Sequence, residues 1–237
     1  PTLFANTGIR IFLFFCLHLF FATYKDINLF LNENFESIDK NYTSAAQKDG
    51  RGNICPVTII LPTLAKEVEN KVNKYLSNRA TNEEYMKEFL IALDKKIHEA
   101  KDMLLERFSF IASQSPASAR FMYDNNTMAG YVPEEGIISA LKHGTLVIGQ
   151  LGLAETLQIL IGCDHTEEEG MKLAKEIEAL FNKRCAEFKN NLKLNFGVYY
   201  TPAENLCYTA MKKFQDKYGK IENVSDKEFF TNSMHVP

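Results

Sequence analysis

Five cysteines, Cys16, Cys55, Cys163, Cys185 and Cys207, are the side chains through which this 237-residue chain could do covalent chemistry. A reactive thiol needs a lowered pKa from a nearby cation or helix N-terminus. A zinc site needs ligand pairs at short spacing, and the sequence has no CxxC pair. An odd cysteine count without such a pair fits a reducing, cytoplasmic setting and speaks against a disulfide framework or a zinc site within the chain. Cys55 has the most suggestive surroundings. It lies in "GRGNICPVTIILPTLA" (Gly50 to Ala65), between a glycine-rich turn and a β-branched run that ends at a second proline. It is either a thiol presented on a loop or a small residue at the mouth of a buried strand.

Two other groupings invite a metal or a phosphate. "CDHTEEEG" places Asp164, His165 and three glutamates together. The stronger reading of Thr166 to Glu169 is a capping box, with acidic residues in a first helical turn. His98 lies beside the apolar stripe of a helix and has no second ligand at i+4, so it reads as an edge histidine. Gly144, Gly149 and Gly152 surround "TLVIGQL" but form neither a Gly-Lys-Ser/Thr loop nor GxGxxG. Glycine inside a strand marks close backbone approach instead. "TPAEN" (Thr201 to Asn205) follows the strand-like "LNFGVYY", with Thr201 as a candidate cap and Pro202 at the first helical position. A strand feeding a capped helix leaves backbone N–H groups that can hold phosphate.

These residues need elements to position them. "VTIIL" (Val57 to Leu61) reads as a strand buried on both faces, ended by Pro62. The helix after it is predicted to bury Leu64, Val68, Val72 and Tyr75. In "NEEYMKEFLIALDKKIHEAKDMLLERF", Met86, Leu90, Leu93, Ile97, Ala100 and Leu104 mark a helical face, with Thr81 or Asn82 as cap. "PEEGIISALKHG" reads as a short helix from Pro133 to a stop at Gly144. "LAETLQILIG" is a buried helix or a strand. Then come a helix burying Leu173, Ile177, Leu180 or Phe181, and Phe188, the strand "LNFGVYY", and a helix carrying Leu206, Ala210, Phe214 and Tyr218. Strands alternating with long helices predict an α/β fold with a mostly parallel sheet.

The formal charge of −3 gives no basic surface for nucleic acid. Residues 1–47 differ in texture from residues 48–237, which read as one domain. "IFLFFCLHLFFA" (Ile11 to Ala22) is shorter than the roughly 20 apolar residues of a membrane span, so a membrane anchor is not the expectation. Neither end of the sequence reads as a natural boundary, which suggests a fragment.

"GRGNICPVTIILPTLA", "RFSFIASQSPASARFMYDN", "ALKHGTLVIGQLGLAETLQILIG", "YYTPAENL" and "DKEFFTNSMHVP" occur in order. Together they resemble the anaerobic (class III) ribonucleoside-triphosphate reductases, a glycyl-radical enzyme family. The resemblance implies about the second half of a ten-stranded β/α barrel and, for the parent, radical reduction of ribonucleoside triphosphates to deoxyribonucleoside triphosphates. It implies a glycyl radical installed by an S-adenosylmethionine/iron-sulfur activase, a zinc site, ATP or dNTP effectors and a homodimer in the full-length parent. It also implies a catalytic loop cysteine upstream of the GRGN turn. Here that stretch reads "ESIDKNYTSAAQKDGRGN" and has no cysteine. Cys55 is therefore expected to be structural, Cys16 is a poor substitute, and no catalytic residue is assigned. Substrate-binding candidates carried over from the family are Asn53 near the ribose, and Thr201, Ala203, Glu204 and Asn205 offering backbone N–H groups to a triphosphate. The family more often has glycine where Asn205 stands.

The resulting expectation is a reductase fragment, inactive alone. Its alternatives are a nucleotide-binding remnant and a membrane-tethered α/β module. The sister formate-lyases lack a match because their paired cysteines have no counterpart. Residues 9–41 are expected to be read in a shifted frame, with a genuine hydrophobic insertion as the rival.

Overall fold

A computed structural model of the chain describes residues 52–76, 80–125, 127–202 and 204–232. The anchor candidate Ile11 to Ala22, Cys16 and the suspected frame shift lie outside the described residues. Among the described residues, no helix is long and apolar enough to cross a membrane.

The core is a three-stranded parallel sheet in the order β1-β2-β3, formed by Val57–Ile60, Thr145–Leu151 and Asn195–Tyr200. Both pairings are parallel, with Ile148 opposite Val57 on one side and Val198 on the other. The expectation of a strand buried on both faces holds for β2, where six of seven residues are buried. In β1 all four residues are only half-buried. The reason is position: among the described residues β2 is central, whereas β1 has a strand on one side only.

Helices connect the strands. Leu61–Leu76 (α1) starts one residue before Pro62, so the proline sits in a first helical turn, where its missing N–H costs nothing, and β1 ends at Ile60. Leu64, Ala65, Val68 and Val72 form its buried face, but Tyr75 is 71% exposed and does not continue it. Asn82–Ala112 (α2) buries Met86, Phe89, Leu93, Ile97, Ala100, Leu104 and Phe108. Phe89, not Leu90, fills the second position of the stripe. Thr81 caps α2 through a reciprocal box with Glu84: the Glu84 N–H donates to Thr81 Oγ1 at 3.3 Å, and the Thr81 N–H donates to Glu84 Oε2 at 2.8 Å.

Arg120–Asp124 (α3) and Ile138–Leu141 (α4) are short. The helix expected from Pro133 is confined to α4, because Gly136 takes a left-handed φ of 75° and breaks the chain direction before it. "LAETLQILI" resolves as a helix, Leu153–Ile161 (α5), between left-handed Gly152 and Gly162.

Glu168–Leu192 (α6) corrects the expected capping box. The residue before it, Glu167, makes no side-chain cap bond. Asp164 instead accepts the Thr166 N–H at 2.7 Å and the Thr166 hydroxyl at 2.6 Å, closing a turn. That turn folds back so tightly that a Cβ on Gly170 would stand 1.8 Å from the Asp164 carbonyl oxygen. The last helix, Glu204–Tyr218 (α7), packs through Cys207, Ala210, Met211 and Phe214 on Leu151, Val224 and Phe230. Asp94 on α2 and Arg184 on α6 form a two-pronged ion pair, with N–O distances of 2.5 and 2.8 Å.

Candidate functional site

In a parallel α/β sheet, ligands gather at the carboxyl ends of the strands, where loops lead into helix N-termini. Here that end is organised around Thr201. Its N–H donates to the Gln150 carbonyl at 3.2 Å, extending the β2–β3 ladder by one residue. Its hydroxyl lies 2.8 Å from that of Thr58 on β1. Thr201 is buried, and this one residue is tied to both other strands. The close approach expected of a strand glycine is found at Gly149. A Cβ there would lie 2.3 Å from Thr201 Oγ1 and 2.8 Å from Thr58 Oγ1.

The turn then passes through exposed Pro202 to α7, with Glu204 and Asn205 in the first helical turn and Asn205 exposed. Ala203 lies outside the described residues. First-turn N–H groups of a helix have no acceptor within it. Thr201 is different, since its amide is engaged by Gln150. Asn53 is placed elsewhere. It forms an isolated parallel bridge with Thr145, the first residue of β2, and so stands at the opposite end of the sheet. At about 3.3 Å per residue, the five steps from Thr145 to Gln150 put Asn53 roughly 17 Å from the turn. The structure places Thr201, Glu204 and Asn205 along one turn and leaves Asn53 apart.

Among the described residues, Cys55, Cys163, Cys185 and Cys207 are buried thiols outside any disulfide. The Cys55 thiol points at the Leu104 carbonyl, 3.9 Å away, and burial pushes its pKa up despite the charge of Arg107. Arg107 spends a hydrogen bond on the Pro56 carbonyl. Burial raises the Cys163 thiol, with the charges of Glu167 and Glu169 adding to it, and burial alone pushes Cys185 up to about 11. None of these three has the depressed pKa of a nucleophilic thiol. His98 sets its ring edge-on to Phe188, with centroids 5.1 Å apart. No group of three His, Cys, Asp or Glu among the described residues is placed to hold a metal.

Two polar arrangements escaped the sequence reading. Glu155, in the first turn of α5, is fully buried and accepts the Thr231 hydroxyl at 2.6 Å and the Thr231 N–H at 3.1 Å. Lys227 Nζ stands 2.7 Å from the same carboxylate. The Thr231 carbonyl in turn accepts the Gly152 N–H at 2.8 Å. The segment after α7 is thereby latched across the start of α5. A signal was present: Glu155 is the one charged residue between Gly144 and Cys163, an apolar stretch in which a carboxylate needs a partner. The second arrangement joins Gln150, Glu178 and Tyr200. The Gln150 amide donates to Glu178, and burial together with a hydrogen bond to Glu178 pushes Tyr200 up to about 12. No spacing rule reveals it, because β2, α6 and β3 meet only in the fold.

Comparison with known proteins places this geometry. The chain is 28% identical over 206 residues to the anaerobic ribonucleoside-triphosphate reductase of enterobacteria phage T4, covering 86% of this chain and 31% of the phage protein. It is 26% identical over 210 residues to the Escherichia coli K12 protein of the same description, again covering 86% of this chain but 26% of that one. The chain thus spans about a quarter to a third of the length of these relatives. The crystal structure of the anaerobic ribonucleotide reductase from Thermotoga maritima with glycerol in the active site shares the fold. Its TM-score is 0.56 at 16% identity, covering 76% of this chain and 26% of that one. The same enzyme with dATP bound in the specificity site gives 0.54 at 17% identity. Residues 18–237 match the family model described as anaerobic ribonucleoside-triphosphate reductase, a match that begins well upstream of the motifs that carry the resemblance, and the chain belongs to that family.

Proposed function

We propose that this chain supplies part of the catalytic barrel of a reductase acting on ribonucleoside triphosphates, and that the turn from Thr201 to Asn205 holds the triphosphate. The observation that carries the reading is that Thr201, at the end of β3, is bonded to both other strands three residues before a 15-residue helix begins. Within this reading Thr201 fixes the turn, and the amides of Ala203, Glu204 and Asn205 face the phosphate oxygens. Only the backbone of Glu204 is assigned, since its carboxylate would repel phosphate. Asn53 belongs to the reading through the family resemblance, toward the ribose. Its place at the other end of β2 gives it no part in holding phosphate.

The thiyl chemistry of the parent needs a loop cysteine and a glycyl radical installed by an activase. The four described cysteines are buried, and none lies upstream of the GRGN turn where the loop cysteine of the family stands, so no radical step is assigned to them. The zinc of the parent finds no ligand set among the described residues either, and no step is routed through it. Effector sites and a homodimer belong to the full-length parent.

Calorimetric titration with a nucleoside triphosphate at low salt tests the reading. Binding is expected to weaken in Asn205→Pro, which deletes one amide at a helix position that tolerates proline, and to be unchanged in Asn53→Ala. Equal affinities for wild type and Asn205→Pro would refute the phosphate assignment. Under anoxia with an activase, the chain alone is expected to form no deoxynucleotide; turnover would overturn the assignment of a partial barrel.

A further inference from the structure

Three side chains meet over Gly149. Thr58, Gly149 and Tyr199 stand in register across β1, β2 and β3, so their side-chain positions share one face of the sheet. Gln150 and Tyr200, one residue further on, take the opposite face and bond Glu178 on α6. On the Gly149 face the middle position is empty, and the groups on either side lean into it. A Cβ at Gly149 would lie 2.3 Å from Thr201 Oγ1, 2.8 Å from Thr58 Oγ1 and 3.0 Å from Tyr199 Cε1. Two strand spacings, about 10 Å in all, separate the backbones of β1 and β3. The two hydroxyls still close to 2.8 Å across the central strand. A side chain at position 149 would stand in their way, so the bond depends on a glycine there.

The bond acts where the direction of the chain matters. β3 ends at Tyr200 and α7 begins at Glu204, three residues after Thr201. The Thr201 N–H is fixed by the Gln150 carbonyl at 3.2 Å. That tether alone leaves the residue free to swing about a single bond. The second tether, from its side chain to β1, removes the swing. Backbone and side chain of Thr201 are thus held by different strands, and the course of the chain toward α7 is set. β1 also seats the helix itself. Ile60, two residues after Thr58 and in register with Leu151, packs against the cluster of Leu151, Cys207, Met211 and Phe214. Thr201 is buried and the Tyr199 ring lies against the same spot, so the hydroxyl bond is sheltered from water on that side and is stronger for it.

We propose that Thr58 is a positioning residue for the phosphate turn: its hydroxyl, reaching over Gly149, holds Thr201 so that the amides of Glu204 and Asn205 point at one place. The proposal rests on the reading that the Thr201–Asn205 turn holds a triphosphate. Thr58 itself does not touch the phosphate. It acts through Thr201, and Gly149 supplies the space that lets it.

Calorimetric titration of the whole chain with inorganic tripolyphosphate at low salt tests it, with Thr201 amide exchange and urea unfolding measured on the same samples. Thr58→Val keeps the branched shape and removes the hydroxyl; Thr58→Ser keeps the hydroxyl. Thr58→Val is expected to bind tripolyphosphate about three- to tenfold more weakly, the worth of one hydrogen bond, and to exchange the Thr201 amide faster by a similar factor. Thr58→Ser is expected to restore both to the wild-type values. A purely structural threonine would lower the urea midpoint in Thr58→Val and leave the affinity of the folded protein unchanged, and that result overturns the proposal. An equal loss of affinity in Thr58→Ser also overturns it, because the effect would then belong to the methyl group. Should Thr58→Val not fold, Thr58→Ala removes the same hydroxyl and carries the same expectation. If wild type binds no tripolyphosphate, the phosphate reading falls, and exchange at Thr201 decides the tether separately. Acceleration in Thr58→Val but not in Thr58→Ser upholds the tether, and unchanged exchange overturns it.

Discussion

Replacing Glu155 by glutamine is the sharpest probe of how the segment after α7 is joined to α5. The carboxylate is fully buried, takes two hydrogen bonds from Thr231 and pairs with Lys227 at 2.7 Å. Glutamine keeps the shape but removes the charge and turns one acceptor oxygen into a donor. One donor among the Thr231 N–H, the Thr231 hydroxyl and the Lys227 ammonium then loses its acceptor. Losing one partner of a buried charged pair costs about 3–5 kcal/mol. Lys227 has a side chain that is 35% exposed and can recover water, which brings the expectation down to about 2–3 kcal/mol. For a region of this size each kcal/mol moves Tm by about 2–4 °C, so the variant should melt roughly 4–12 °C lower. Urea unfolding followed by circular dichroism measures the free energy, and a double-mutant cycle with Lys227→Met isolates the ion pair. Amide exchange should accelerate at Gly152, whose N–H is held by the Thr231 carbonyl. A loss below about 0.5 kcal/mol, or unchanged exchange at Gly152, would refute the latch.

Gly149→Ala should cost about 1–3 kcal/mol by overpacking, because the new methyl meets the hydroxyls of Thr58 and Thr201; the double change Thr58→Ala and Thr201→Ala should recover part of the loss in the same urea assay. Thr81→Ala removes one half of the α2 capping box and should lower stability by about 1 kcal/mol. Asp94 is held below the ordinary carboxylate range, chiefly by its hydrogen bonds to Arg184, with the charges of Arg184, His98 and Lys183 adding to them. A depressed folded pKa stabilises above the unfolded value near 4 and loses that contribution as pH falls through the folded value. Unfolding free energy should therefore drop between about pH 4 and the lowered pKa in wild type, with a shallower drop in Asp94→Asn.

Helix and strand identities were legible where side chains alone decide them. The α2 stripe follows from apolar residues three and four apart, and Thr81 with Glu84 announces its start. β2 and β3 follow from short apolar runs bounded by turns. What could not be read depended on neighbours. Strand order made β2 the buried one, and only the fold shows that Asp164 turns back on Gly170 in place of the capping box. The turn at Thr201 to Asn205 was visible as a motif, but its tether to Thr58, 143 residues away, was not. Asn53 and that turn read as neighbours in function although β2 separates them.

Four cysteines sealed inside the fold give the chain a built-in clock. Cys55, Cys163, Cys185 and Cys207 sit in separate parts of the core, before β1, before α6, within α6 and within α7. An aromatic disulfide reagent added under native conditions reaches each sulfur only when its own region opens. Mass-resolved modification rates then rank the opening free energies of these regions, with no engineered label and no tryptophan required.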